Sequence, residues 1–148
     1  MRIWFFAFLT VFLFAAYATA ARTSQGVEVL SHANSPISVR DVQQTVRFVV
    51  KGGLCSLAAV RQARVMLVAV PWLIDSGGNK VILGLTYSDG SIIVATRADL
   101  LTTENPFHIL IHEFAHFCQG DSEHKNTALW KQVDEIYKKL AAAGVGKK

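Results

Sequence analysis

The chain has 148 residues, enough for one domain and too few for two. Half of it (51%) is hydrophobic, so a packed core is available. The formal charge of +4 is scattered, with no block of like charge before the Lys147-Lys148 end. That is the pattern of a solvated surface and argues against a nucleic-acid groove.

The N-terminus reads as a leader. Arg2 supplies a positive start, Ile3 to Tyr17 form a nearly unbroken apolar run, and Ala18-Thr19-Ala20 is a small-residue cleavage site. The expected division is a signal peptide over 1–20, cut after Ala20, and one domain over 21–148. A retained anchor is the alternative, although the run is shorter than the roughly 20 residues of a spanning helix. The product is expected to be secreted or periplasmic, with no stable membrane association once the leader is removed.

Val27 to Leu30 alternates enough for a short strand, which Ser35-Pro36 ends. Ser38 followed by Asp41 resembles a capping box, and Val39, Val42, Val46, Val49 and Val50 keep helical spacing until Gly52-Gly53. Leu54 to Gln62 is ambiguous, with a short turn of helix as one reading. Arg64 to Leu73 is β-rich, and Pro71 restricts its end. Val81 to Tyr87 and Ser91 to Thr96 flank Ser88-Asp89-Gly90 and predict an antiparallel hairpin. The second of these strands is expected near the active helix, where an exposed sheet edge could hold an extended peptide. A final amphipathic helix is expected over Thr127 to Ala142. The fold class is therefore α+β, a mixed or antiparallel sheet packed against two C-terminal helices. Cys55 and Cys118, the only cysteines, permit either one bridge or two buried thiols.

The most informative segment is His112-Glu113-Phe114-Ala115-His116, the HExxH pattern of zinc hydrolases. Positions four apart on a helix differ by about 40° and project from one face, so two imidazoles can share a metal. The intervening glutamate can act as general base toward a water at that metal. Asn105-Pro106 supplies a cap and a first helical residue, and Gly120 a stop. Cys118 lies about 200° around the helix from His116 and points elsewhere.

A catalytic zinc generally takes three protein ligands and keeps one position open. His108 shares the face of His112 and His116, but the rise from His108 to His116 is about 12 Å, so one helix cannot supply all three. The chain must turn back, and Cys118-Gln119-Gly120-Asp121-Ser122-Glu123-His124 provides a turn ending in histidine. Glu135, Asp121 and Glu123 are the other candidates.

Taken together, HEFAHFCQGDSEHKNTALWKQV resembles the core of the SprT-like and YgjP-like zinc metallopeptidases, in which HExxH is followed by a third histidine and then by an aromatic residue entering a helix. His112, Glu113, His116, His124 and Trp130 match that order, within a similarity running from about Val81 to Leu140. The resemblance implies a small zincin-like domain holding one Zn²⁺ on His112, His116 and His124, with Glu113 as catalytic base and a peptide or protein as substrate. The chain departs from the SprT-like pattern in having Lys125 where glycine commonly follows the third histidine. It also lacks a cysteine-rich zinc ribbon. The metzincin pattern would need glycine at Gln119 and histidine at Ser122, and the surroundings of Glu135 do not match gluzincin motifs. His108, Tyr87 and Tyr137 are the candidates for stabilising an oxyanion, and Asp121 and Glu123 for orienting ligand histidines. Two other readings stand beside the peptidase: a zinc-binding interaction protein without turnover, and a zinc hydrolase of some non-protein amide.

Overall fold

The computed structural model describes residues 17–75 and 77–146. The expected leader therefore lies largely outside the described residues. Its last four positions, Tyr17 to Ala20, open a strand the sequence did not announce: β1, Tyr17–Arg22, pairs antiparallel with β2, Glu28–His32. Cleavage after Ala20 would leave Ala21 and Arg22 of that strand, opposite Val29 and Glu28.

Helix α1, Val39–Lys51, begins as the capping box predicts. The Ser38 hydroxyl accepts from the Asp41 N–H, and the Asp41 carboxylate accepts from the Ser38 N–H at 2.8 Å. Val42, Val46 and Val49 are its buried stripe, and Gly52 caps its end. The ambiguous stretch is a single turn, α2 (Leu57–Val60), capped by Ser56. Strand β3 (Arg64–Val68) ends short of Pro71, which has no N–H to donate. Leu73–Ile74 then form a separate strand, β4, paired with β5, Val81–Ile82.

The predicted hairpin forms from β6, Gly84–Thr86, and β7, Ser91–Ala95, around a turn in which Gly90 takes φ 89°. Only half of the run from Val81 to Tyr87 enters it, because β5 turns away to β4. The sheet order is β1-β2-β3-β7-β6. Pairing is parallel at β2–β3 and β3–β7 and antiparallel at both edges. Strand β7 is thus an interior strand, and β6 is the terminal strand on that side of the sheet. This corrects the expectation that Ser91 to Thr96 would present a free edge.

A 3-10 turn, Ala98–Leu100, leads to helix α3, Pro106–Gln119, and a loop then leads to α4, Thr127–Ala142. Helix α3 packs on β6, β7 and α4, while α1 packs on β2, α3 and α4. One sheet face (Val29, Val65, Leu67, Ile92, Val94) and the inward sides of the helices form one core, with Leu110, Ile111, Phe114 and Leu140 fully enclosed. Among the described residues, no helix is long and apolar enough to cross a membrane.

Cys55 and Cys118 form a disulfide, with Cα atoms 5.4 Å apart. It pins the C-terminal end of α3 to the segment after α1. The Gln119 side chain donates to the Leu54 carbonyl at 2.6 Å beside it, and Gln132 of α4 donates to the Gly52 carbonyl at 2.7 Å. Both C-terminal helices are therefore anchored to the same four-residue turn, Gly52 to Cys55.

Candidate metal centre

Helix α3 is set by its ends and its apolar side. The Asn105 side chain accepts from the Phe107 N–H at 2.9 Å, Pro106 occupies the first turn, and Gly120 closes the helix at φ 69°. Burial of Phe107, Leu110, Ile111 and Phe114 fixes its rotation against the core. His112 and His116 are then carried outward together, at the boundary between α3 and α4.

The third histidine arrives from the loop. His124 adopts φ 55°, a left-handed conformation uncommon for a residue with a side chain and more accessible to His than to most. Asp121 holds that loop: its carboxylate accepts from the N–H groups of Lys125 (3.2 Å) and Asn126 (2.8 Å) and from the Trp130 indole N–H (3.0 Å). These donors, Asn126 foremost, keep the Asp121 carboxyl below its ordinary pKa. The Trp130 ring sits against all three imidazoles, with centroids 4.5, 5.0 and 4.6 Å from those of His112, His116 and His124.

Three ring nitrogens converge as a result. The Nε2 of His112 lies 3.0 Å from that of His116 and 2.9 Å from that of His124, and one atom from each residue falls within 4.8 Å of the others. Nitrogens bound at 2.0–2.1 Å around a tetrahedral ion would stand about 3.3 Å apart, so the cluster fits one metal ion with little movement. The donor chemistry fits too. Burial first, and then the neighbouring histidines, push His112 down to about 4, and burial and His124 lower His116. His112 and His116 therefore rest at neutral pH as neutral imidazoles, the form that offers a lone pair. Among the described residues these three are positioned to hold a metal ion, and imidazoles suit zinc, copper, iron or nickel.

Glu113 packs against β6 of the sheet, and only 5% of its surface is exposed. Its Oε2 accepts from the Thr86 hydroxyl at 2.7 Å. Burial pushes its carboxyl up to about 7, against the opposing pull of Thr86. A Cβ placed on Gly84 would run into the Glu113 carboxylate. Two cavities meet at this point. One, about 510 Å³, is lined by Leu85, Tyr87, Phe117 and Ser122 beside Glu113 and His116. The other, about 440 Å³, is lined by Leu83, His108 and all three cluster histidines, and it also reaches Glu113.

The remaining candidates are dispersed. Glu135 pairs with Lys138 at 3.0 Å and is not in the cluster. Glu123 pairs with Lys125. His108 bonds Asp134 at 2.9 Å and lies near Glu104 (3.6 Å) and the Tyr137 ring, although one side of it borders the second cavity. Tyr87 borders the first cavity, whereas Tyr137 borders neither. Sequence reasoning missed Gly84 and Thr86. The available signal was a glycine inside a short strand, which often marks close approach of another group. Comparison with family models, with characterised proteins and with solved structures finds no match for this chain.

Proposed function

We propose that the chain is a secreted zinc metallopeptidase of the SprT-like kind, with His112, His116 and His124 as ligands of one Zn²⁺ and Glu113 as general base. The observation that carries this reading is a buried carboxylate adjacent in sequence to one of three converging imidazoles and facing the junction of two cavities. A metal site with only a structural role needs no such base. Among the described residues no fourth side chain joins the cluster, which leaves room for water. The leader-like N-terminus and the disulfide support an oxidising, extracytoplasmic setting.

Zinc held there supplies Lewis acidity toward a peptide carbonyl and brings the pKa of water toward about 7. Glu113 takes a proton from the attacking water as its oxygen bonds to the carbonyl carbon. It then gives that proton to the amine nitrogen as the C–N bond breaks, so the products are a free amine and a carboxylic acid, which loses its own proton to solvent at neutral pH. Strand β6 ends the sheet and borders both cavities, so an extended peptide added to its edge would lie across Glu113.

The test is cleavage of a broad peptide library, with and without a chelator, by the parent and by Glu113→Gln. The variant is expected to keep one zinc per chain and its fold while hydrolysis falls about 10²–10⁴-fold, the usual cost of removing a general base. Cleavage at the parent rate by Glu113→Gln would refute the assignment of the base. A zinc-loaded parent that cleaves no peptide would favour the binding protein or the non-protein amide.

A further inference from the structure

The sheet turns a continuous row of side chains toward the helices. Val29, Val65 and Ile92 are register partners in one row, and Ser31, Leu67 and Val94 in the next. On β6 these rows end at Thr86, opposite Ile92, and Gly84, opposite Val94. A hydroxyl and a bare backbone thus stand where an apolar pair would extend the core, and both meet Glu113. Packing alone gives no reason for either. An apolar side chain at 84 would collide with the carboxylate, and one at 86 would leave Oε2 buried without a donor.

We propose that Thr86 is a positioning residue for Glu113, with Gly84 clearing the space the carboxylate occupies; the consequence for turnover rests on the peptidase reading. The Thr86 hydroxyl lies 2.7 Å from Glu113 Oε2 and 3.1 Å from the Glu113 backbone carbonyl. It has one proton and two acceptors. The hydroxyl donates to Oε2, which holds that oxygen against β6 and leaves Oε1, over Gly84, as the oxygen that takes the proton from water and later gives it up.

The experiment compares the zinc-loaded parent with Thr86→Val, an isostere lacking the hydroxyl, and with Thr86→Ser, which keeps it. Thr86→Val is expected to lower kcat about 10–100-fold, the scale of a lost hydrogen bond to a charged group, with KM and zinc content unchanged and the fold retained. Thr86→Ser should restore most of that loss. A second readout needs no turnover: the side-chain carboxyl ¹³C resonance of Glu113, assigned through Glu113→Gln, should move in Thr86→Val and stay in Thr86→Ser. Parent kcat in Thr86→Val, an unmoved resonance, a loss of zinc, or a serine variant as slow as the valine one would each overturn the inference. If the zinc-loaded parent cleaves no peptide, the peptidase reading fails alone, and the resonance still decides whether Thr86 holds Glu113.

Discussion

Helix α3 and the loop from Gly120 to Asn126 each bring histidine to the same point, by opposite means. On α3 the spacing of His112 and His116 follows from helical periodicity, and many apolar contacts hold the helix in place. In the loop nothing is periodic. His124 reaches the cluster because one carboxylate, Asp121, gathers three donors and because Trp130 closes the space behind it. A periodic element spreads its positioning over many weak contacts, whereas a loop concentrates it in a few strong ones. The loop is therefore where a single substitution should separate metal binding from folding.

The sharpest test of that contrast removes His124 itself. His124→Ala is expected to weaken zinc affinity by more than the roughly 10–100-fold typical of losing a ligand's hydrogen-bond partner, and to abolish hydrolysis. Glu135→Ala serves as its control and should leave zinc titration unchanged, since the Glu135 carboxylate pairs with Lys138 away from the cluster. Tight zinc binding by His124→Ala together with metal loss in Glu135→Ala would transfer the third ligand to α4.

Next in size, Asp121→Ala should reduce zinc affinity about 10–100-fold, because the lost carboxylate is what gathers the Lys125, Asn126 and Trp130 donors. Circular dichroism should show α3 and α4 intact. Parent-like zinc binding would show that the loop does not depend on this carboxylate, and an unfolded variant would show that the carboxylate serves the whole fold and not the loop alone.

The smallest effect is expected at the junction of the two regions. Gly120 takes φ 69°, and a Cβ there would meet nothing within 4 Å. Gly120→Ala should therefore cost about 1–2 kcal/mol in urea unfolding, from backbone conformation alone. A loss of zinc exceeding that stability change would show that the turn geometry also aims His124.

What the sequence disclosed follows the same division. The caps of α3, the bounds of α4 and the pairing of His112 with His116 are local, since each depends on residues a few positions apart. The pairing of β2 with β3 and of β3 with β7 is not local. An apolar run such as RVML is compatible with parallel or antiparallel neighbours, so the interior place of β7 was hidden. Strand β1 was masked by composition, because Tyr17 to Ala20 serve equally as the end of a leader and as a strand. Thr86 was invisible for another reason. A threonine in a strand is ordinary, and its meaning depends on Glu113, 27 residues away in sequence. The cysteines were balanced between a bridge and two thiols until the Cα separation was known.

The bridge between Cys55 and Cys118 also determines what kind of chain unfolds. It closes a ring spanning 63 positions, which in the chain-entropy view raises the free energy of the unfolded state by about 4 kcal/mol. Strands β3 to β7 and helix α3, with His112, Glu113 and His116, lie within that ring, while His124 and Trp130 follow on the tail just outside it. The tail leaves the ring at Cys118, so His124 remains tethered near the other two histidines even when all secondary structure is gone. A metal would close a second, small ring fused to the first at the end of α3. A reductant accordingly acts on this molecule through its unfolded ensemble, by opening a ring, before it disturbs any contact of the native fold.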